Sequence, residues 1–269
     1  MGLIDKKIKF QNIEKKFRKG VGRKDFHLSI DTLEIKPSEI VYFIGPNGSG
    51  KTTLLSIIQG STKEEQGRVL LADLKSNKSI DLLKLEPHLR SKFIGYVPQD
   101  SEEVLINDMT IIEHVLCSFN RDNELVWFFP RMRLKQKVKS VLKRFNLGLE
   151  NRLDELIGNL SGGEKQLLSF CLATTGNPRL LLLDEFTSAL DPQMTIKVLN
   201  TAIEFLKSRD ISTIVVTHRQ NEAIQYADRI IVLHEGKPYK ELKKSENNFN
   251  ETFLKNVFNE LYLSKSENF

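Results

Sequence analysis

The sequence has few cysteines and no visible internal repeat. Cys117 and Cys171 are its two cysteines among 269 residues, and both stand in apolar surroundings without C-x-x-C spacing. This pattern argues against a disulfide framework and a zinc site, and it agrees with a reducing compartment. We expect both thiols to be free and buried.

Long apolar runs are also missing. No run approaches the roughly 18 residues that a membrane-spanning helix needs, and residues 1–6 lack the apolar core of a signal peptide. If the protein works at a membrane, we expect another chain to cross the bilayer.

Neither sign of charge dominates. Lys and Arg number 40 against 35 Asp and Glu, which gives a formal net charge of +5. A basic balance suits an anionic partner such as membrane headgroups or nucleic acid, but 28% charged residues of both signs is ordinary for a soluble protein. The 40% hydrophobic content supports one large or two modest globular domains.

Residues 45–52 read GPNGSGKT and fit the phosphate-binding pattern G-x-x-x-x-G-K-[ST]. They follow an apolar run and precede a helical one, so strand, loop and helix come in the required order. The glycines let main-chain N–H groups approach a triphosphate, while Lys51 reaches the outer phosphates and Thr52 ligates Mg²⁺. The alternative is a glycine-rich turn that matches by chance. The predicted nucleotide contacts here are Gly45, Pro46, Asn47, Gly48, Ser49, Gly50, Lys51, Thr52 and Thr53.

Short strands predict an antiparallel sheet near the N-terminus, at residues 8–12 and 26–30. A further strand at 93–97 ends at Pro98, which cannot donate to a ladder, so Gln99 lies on a loop. Unbroken apolar runs at 180–183, 213–216 and 229–233 are typical of parallel strands covered by helices on both faces.

Helical patterns occupy two other regions. Between residues 100 and 159, Leu134, Val138 and Leu142 recur at helical spacing, which predicts a mainly helical subdomain. Aromatic and aliphatic residues from 249 to 262 predict an amphipathic C-terminal helix, which packs either on the domain or on a partner.

Two further clusters suit phosphate chemistry. Asp184 and Glu185 follow a buried strand, where open α/β sheets bind ligands, so Asp184 can hold Mg²⁺ and Glu185 can deprotonate an attacking water. The alternative is that these acids cap the next helix. Residues 160–164, LSGGE, precede a helical run and predict a second helix N-terminus suited to an anion, although Ser161 alone would also make a simple helix cap.

Taken in order, these motifs resemble the ATPase subunit of ATP-binding cassette (ABC) transporters over nearly the whole chain. Gln99 matches the Q-loop, residues 160–164 the signature, Asp191 the end of the D-loop SALD, and His218 the switch histidine. A histidine at a strand end is, taken alone, more often structural. Phe17 stands where the family places an aromatic ring against adenine, although a lone Phe near a strand is more often a core residue.

The resemblance implies an α/β fold with a P-loop NTPase core and a mainly parallel sheet. It also implies an N-terminal antiparallel β subdomain and an α-helical subdomain inserted at about residues 100–160. These parts make one ABC ATPase domain over residues 1–240, and residues 241–269 form a C-terminal helical extension.

The resemblance also implies the chemistry. Two copies of the chain, or one copy and a homologous ATPase, sandwich ATP and Mg²⁺. The signature of one copy closes on nucleotide held by the phosphate loop of the other. Catalysis falls to Glu185, His218 and Lys51, and the metal to Thr52, Gln99 and Asp184. The partner-facing signature residues are Ser161, Gly162, Gly163 and Glu164.

One cassette without a transmembrane segment favours a separate subunit that docks on membrane permeases at the cytoplasmic face of the cell membrane. The apolar stretch 126–130 and the basic stretch 131–144 are the predicted docking surface. The alternative is that the apolar residues belong to the core and the charges form a solvated helix face. A weaker likeness points to importers of amino-acid-like solutes with an extracytoplasmic solute-binding protein. We expect no nucleic-acid partner. The alternatives are a cytosolic ABC ATPase acting on nucleic acid, ribosomes or iron-sulfur assembly, and a regulator that binds nucleotide without hydrolysis.

Overall fold

The computed structural model describes residues 7–17, 25–73, 78–119, 131–145 and 148–266. The chain divides into two compact units, one made of Met1–Arg90 and Ser212–Phe269 and the other of Ser91–Ile211. The strands, in chain order, are β1 (Ile8–Phe17), β2 (Phe26–Ile35), β3 (Ile40–Ile44), β4 (Gln66–Asp73), β5 (Lys78–Asp81), β6 (Ile94–Val97), β7 (Leu180–Asp184), β8 (Ser212–Val216), β9 (Arg229–His234) and β10 (Lys237–Lys243).

The described α-helices lie between these strands or after the last of them. They are α1 (Lys51–Gln59), α2 (Pro87–Arg90), α3 (Ile111–Phe119), α4 (Arg131–Leu142), α5 (Gly162–Thr174), α6 (Pro192–Lys207), α7 (Gln220–Tyr226) and α8 (Glu251–Ser266). None of these helices combines the length and the apolarity that crossing a bilayer requires.

The first unit contains the predicted antiparallel sheet, with strand order β2-β1-β4-β5. Strands β1 and β2 both continue five residues beyond their predicted ends. In β1 the predicted end is Asn12, which adopts a left-handed φ of 48° where the register with β4 shifts between Gln11 and Glu14. The polar residue therefore marks a β-bulge inside the strand, and pairing with β2 resumes as far as Phe17.

Parallel strands form the second sheet region of this unit. β3 lies between β8 and β9 and pairs parallel with both. Every residue of β3 and β8 is buried, which confirms the interpretation of the unbroken apolar runs. β10 pairs antiparallel with β9 and was not predicted, because an exposed edge strand with the sequence KPYKELK lacks apolar alternation.

The C-terminal helix α8 packs against α7 in the first unit. Its buried face consists of Leu254, Val257, Phe258 and Leu261. The predicted amphipathic helix is confirmed, and its apolar face is covered by the chain itself.

In the second unit, β6 and β7 pair parallel, and buried aromatic rings pack together in the core. Phe145 stacks on Phe205 at a ring separation of 4.8 Å, and Phe170 meets both rings edge-on. The predicted helix through Val138 and Leu142 is α4, and both of those side chains are buried. The apolar stretch 126–130 lies outside the described residues.

The two thiols differ in their surroundings. Cys171 is buried, as expected, and burial raises the pKa of its thiol to about 12. Cys117 is exposed, so its predicted burial was wrong. On α3 the buried residues Ile111, Val115 and Phe119 share one face, and Cys117 projects from the opposite face despite its apolar sequence neighbours.

Arg90 fixes the C-terminal end of α1. Its buried guanidinium donates to the carbonyl oxygens of Ile57 at 2.9 Å, Leu83 at 2.7 Å and Leu85 at 2.9 Å. One planar fork therefore satisfies carbonyls at a helix end and in the segment after β5, because its donors lie on three separate nitrogens.

Replacing Arg90 by Met should lower the free energy of unfolding by about 3 kcal/mol, because several buried carbonyls lose their donors. Urea unfolding followed by circular dichroism measures this loss. Arg68→Ala, on an exposed strand position of the same unit, is the matched control and should change stability by less than about 0.5 kcal/mol. Equal losses in the two variants would show that Arg90 does not anchor α1.

Candidate nucleotide-binding site

The phosphate loop leaves the C-terminal end of buried β3 and enters α1 at Gly50. Gly50 has a left-handed φ of 104°, and a Cβ there would lie 2.9 Å from side-chain atoms of Leu28 and Phe26. A Cβ on Gly45 would lie 2.2 Å from the main-chain oxygen of Leu233. Only glycine fits these two positions, and Gly50 offers the helix N-terminus no side-chain cap, so the first N–H groups of α1 suit an anion.

Lys51 closes over this loop. Its ammonium nitrogen donates to the carbonyl oxygens of Gly45 at 2.8 Å and Pro46 at 3.0 Å, and the side chain is buried. The exposed Thr52 follows it in the first turn, so the cation and a hydroxyl both stand at the helix N-terminus. These are the groups that the pattern requires for phosphate and Mg²⁺.

Phe17 stands at the end of β1 with 36% of its surface exposed, so it is not a core residue. It pairs across the sheet with Phe26, and the two ring centroids lie 6.2 Å apart. Because Phe26 borders Gly50, the exposed ring of Phe17 is one side chain away from the phosphate loop. That placement suits stacking on a base.

His218 lies just beyond β8, the strand next to β3. Phe43 of β3 pairs with Val216 of β8, and Thr217 donates its N–H to the Phe43 carbonyl at 3.2 Å. The carboxyl ends of neighbouring parallel strands meet at one sheet edge, so the exposed His218 shares that edge with the phosphate loop.

In the second unit, Asp184 ends β7 as a buried carboxylate and Glu185 follows in a left-handed conformation with φ of 42°. Such a φ is uncommon for a residue other than glycine and carries strain that functional sites often hold. Tyr96 lies near Asp184, and burial, followed by the charges of Asp184 and Glu103, raises the pKa of its phenol to about 12. The phenol is therefore neutral beside the carboxylate.

The Q-loop, the signature and the D-loop meet around one cavity of about 390 Å³ in the second unit. Its lining includes the exposed Gln99, Gly162 at the start of α5, and residues 188–190 of the D-loop. The structure therefore brings together three motifs that are separated by about 60 and 30 residues of sequence. Gln166 of α5 ties the signature helix to the Q-loop, because its buried amide donates to the carbonyls of Pro98 and Gln99 at 3.4 Å each.

Ser161 is the N-cap of α5 and forms a reciprocal capping box with Glu164. The Ser161 hydroxyl accepts the Glu164 N–H at 3.3 Å, and the Glu164 carboxylate accepts the Ser161 N–H at 2.9 Å. Gly162 is exposed and Gly163 buried. The helix cap and the proposed anion site are thus built from the same residues.

Asp191 has a structural task in the described chain. Its carboxylate caps α6 by accepting the N–H groups of Gln193 at 2.9 Å and Met194 at 3.0 Å. Pro192 occupies the first helical position, as is usual for this kind of helix start.

Comparison with known proteins decides the family. A sequence model of the ABC transporter family matches residues 28–188. The chain belongs to the ABC transporter family. It is 32% identical over 240 residues to the tyrosine transport ATP-binding protein of Clostridioides difficile, which covers 89% of this chain and 93% of that protein. Over 232 residues it is 32% identical to the L-cystine transport ATP-binding protein TcyN of Escherichia coli, which covers 86% of this chain and 87% of that protein.

A solved structure agrees with this assignment. The ATP-binding cassette MJ0796, in a dimeric post-hydrolysis state bound to ADP and Pi, superposes with a TM-score of 0.73 at 28% identity, over 89% of this chain and 99% of that one. The family and the P-loop NTPase fold inferred from the sequence motifs are confirmed. This ABC cassette is an ATPase.

The residues of the cassette suit ATP with Mg²⁺. Gly45 and Gly50 leave room that a Cβ would fill, and Lys51 supplies the cation. Among the described residues, no group of three His, Cys, Asp or Glu side chains is arranged as a metal site. Mg²⁺ does not need one, because it usually binds through one or two protein oxygens together with substrate phosphates.

Three residues beside this site were missed in the sequence analysis. Gln166 lies on α5, and in the sequence it is only a glutamine within a helical run. Arg152 contacts Glu164 across 12 residues of sequence, and no local pattern predicts that contact. His114 is a third: its buried ring accepts the N–H of Ile106, just beyond the Q-loop, at 2.8 Å.

Gly45→Ala should destabilise the cassette by about 2 kcal/mol and abolish ATP binding, because the new methyl group meets main-chain oxygen rather than a movable side chain. Gly48→Ala is the matched stability control, since nothing lies within 4 Å of its Cβ position and only its φ of 78° adds strain, of about 1 kcal/mol. Urea unfolding and titration with a fluorescent ATP analogue give the two readouts. Equal stability losses would contradict the close approach at Gly45.

Stability should fall in acid through His114. Burial lowers the pKa of its imidazole below the ordinary 6.5, and the Glu113 carboxylate opposes this only in part. As the pH falls, the unfolded chain therefore takes up the proton first. The contribution of neutral His114 to stability is present above pH 6.5 and is lost as the pH falls below that value. His114→Gln keeps an acceptor without titrating. The wild type should lose more stability than this variant between pH 8 and pH 5, and identical pH profiles would contradict the assignment.

Proposed function

We propose that this ABC cassette hydrolyses ATP to drive solute through separate membrane permease subunits, at the cytoplasmic face of the cell membrane. The observation that carries the proposal is the anion cradle at the start of α1, where Gly45 and Gly50 exclude side chains and Lys51 folds over the loop. The ATP-binding transport proteins similar to this chain support the transport assignment.

In the proposed reaction, the phosphate loop binds the triphosphate and Phe17 stacks on adenine. Glu185 takes a proton from the attacking water, and His218 orients the terminal phosphate and the water. Lys51 exchanges its loop carbonyls for phosphate oxygens. Mg²⁺, held by Thr52, Asp184 and Gln99, would neutralise charge on the outer phosphates.

A single cassette is an incomplete enzyme in this proposal. The signature, with Ser161 and the N–H groups of Gly162 and Gly163, closes on ATP bound by a second copy or by a homologous ATPase. The helix N-terminus at Gly162 supports this role because it is exposed and its main-chain N–H groups suit an anion. The dimeric state of the cassette MJ0796 is a further support.

The permease contact is proposed for the surface of the second unit that carries α4. This helix has a strongly basic sequence, RMRLKQKVKSVL, and Met132 on it is 75% exposed. Exposed Met beside Lys and Arg suits a membrane-proximal protein surface. The names of the tyrosine and L-cystine transport relatives favour amino-acid-like solutes as the cargo. Import with an extracytoplasmic solute-binding protein is a finer proposal that rests on the sequence resemblance alone.

Glu185→Gln should lower kcat for ATP hydrolysis at least about a hundredfold and leave ATP affinity within about threefold, because the amide accepts no proton. Lys51→Ala should instead weaken ATP binding by about tenfold or more, since charge-assisted contacts to phosphate are lost. Steady-state kinetics and equilibrium ATP titration separate the two effects. Full turnover in Glu185→Gln would remove Glu185 from the base role.

The transport assignment is tested by isolating the full chain from detergent-solubilised membranes of its own host. We expect a polytopic membrane protein to co-purify, and more of it with the wild type than with a variant whose α4 lysines 135, 137 and 139 are changed to Glu. Recovery of ribosomes or DNA in place of a membrane protein would favour the non-transport class.

A further inference from the structure

Arg152 links the signature to the segment that precedes it in the second unit. Its guanidinium donates to Glu155 through Nε at 2.6 Å and Nη2 at 2.8 Å, and to Glu164 through Nη1 at 2.5 Å. The segment is itself fixed, because Leu153 and Glu155 accept main-chain N–H groups at the start of α3. Arg152 therefore projects toward Glu164 from a supported position.

The two oxygens of Glu164 have different partners. Oε2 accepts the N–H of Ser161 at 2.9 Å, and Oε1 accepts Nη1 of Arg152. Both contacts fix the same carboxylate, so Arg152 acts on the N-cap of α5 through Glu164. A guanidinium suits this task because its planar fork contacts two carboxylates in fixed directions.

The negative charge of Glu164 connects its contact with Arg152 to the proposed function. Glu164 lies in the first turn of a helix whose N-terminus is proposed to receive a terminal phosphate, and an uncompensated carboxylate there repels that phosphate. Burial alone would raise the pKa of Glu164, but the Ser161 N–H and Arg152 outweigh it and lower the pKa. Glu164 is therefore ionised at neutral pH and needs a compensating cation.

We propose that Arg152 is a positioning residue for ATP-dependent pairing of two chains, because it cancels the charge of Glu164 and holds that carboxylate on the Ser161 N–H. The inference rests on the proposed function, in which the signature closes on ATP of a second copy. Arg152 touches neither nucleotide nor water in this role. It sets the charge and the geometry of the helix N-terminus that does.

The test is a double-mutant cycle in the full chain, with Glu185→Gln in every variant so that ATP is retained. Arg152→Ala is made with Glu164 intact and with Glu164→Gln, which keeps an oxygen for the cap but carries no charge. Sedimentation velocity measures the ATP concentration for half-maximal dimer formation. Arg152→Ala should raise that concentration about tenfold when Glu164 is intact and less than about twofold with Glu164→Gln.

Two controls and one conservative variant separate this role from a merely structural one. Glu155→Gln keeps the Arg152–Glu164 contact and should shift the half-maximal ATP concentration less than about threefold. ATP affinity of the monomer, measured at protein concentrations below dimer formation, should be the same with Arg152→Ala as with Arg152. Arg152→Lys keeps the charge but not the fork and should give an intermediate shift in dimer formation.

The proposal is overturned if Arg152→Ala shifts dimer formation equally in the two Glu164 backgrounds, or by less than about twofold with Glu164 intact. Loss of monomer ATP affinity together with a lowered melting temperature would also overturn it, because the defect would then be general. If the Glu185→Gln parent forms no dimer with ATP, the proposed ATP site shared by two chains fails. That outcome differs from a parent that dimerises with ATP and in which Arg152→Ala has no effect.

Discussion

The site depends on one constraint, that a highly charged anion is held mainly by main-chain N–H groups at the start of a helix. Such groups serve only if no side chain lies between them and the ligand. Gly45 lies against the main chain of β9, and Gly50 fits between Phe26, Leu28 and the helix that it begins. Buried β3 holds the loop from behind, and Arg90 fixes the far end of α1. The loop thus lies between a buried strand and a helix whose far end is anchored by Arg90.

The second unit also has a helix N-terminus that is proposed to receive phosphate, but its local structure differs. The helix N-terminus at Ser161 is capped, unlike that at Gly50, and its cap includes a carboxylate that would weaken its attraction for phosphate. Arg152 compensates for that carboxylate, and Gln166 ties the same helix to the carbonyls of the Q-loop. One helix therefore joins the proposed anion site to the loop that follows β6, and both lie beside the 390 Å³ cavity.

Much of this was predictable from the sequence, because buried strands, the glycine loop and the ordered motifs leave local patterns. The unpredicted parts depend on contacts that are distant in sequence or on backbone geometry. Asn12 signals a strand end but forms a bulge, Cys117 lies on the wrong face of its helix to be buried, and β10 lacks apolar alternation. The left-handed φ of Glu185 and the reach of Arg152 to Glu164 leave no trace in any motif.

The central claim is that each ATP site is completed by two chains, and mixing two inactive variants tests it most directly. One variant carries Lys51→Ala and the other Gly162→Asp, which the fold tolerates because a Cβ on Gly162 meets only a Leu190 side chain at 3.7 Å. A mixed dimer then contains one intact site. An equimolar mixture should recover about a quarter of the wild-type ATPase rate, since half of the dimers are mixed. A mixture no more active than its parents would contradict the account.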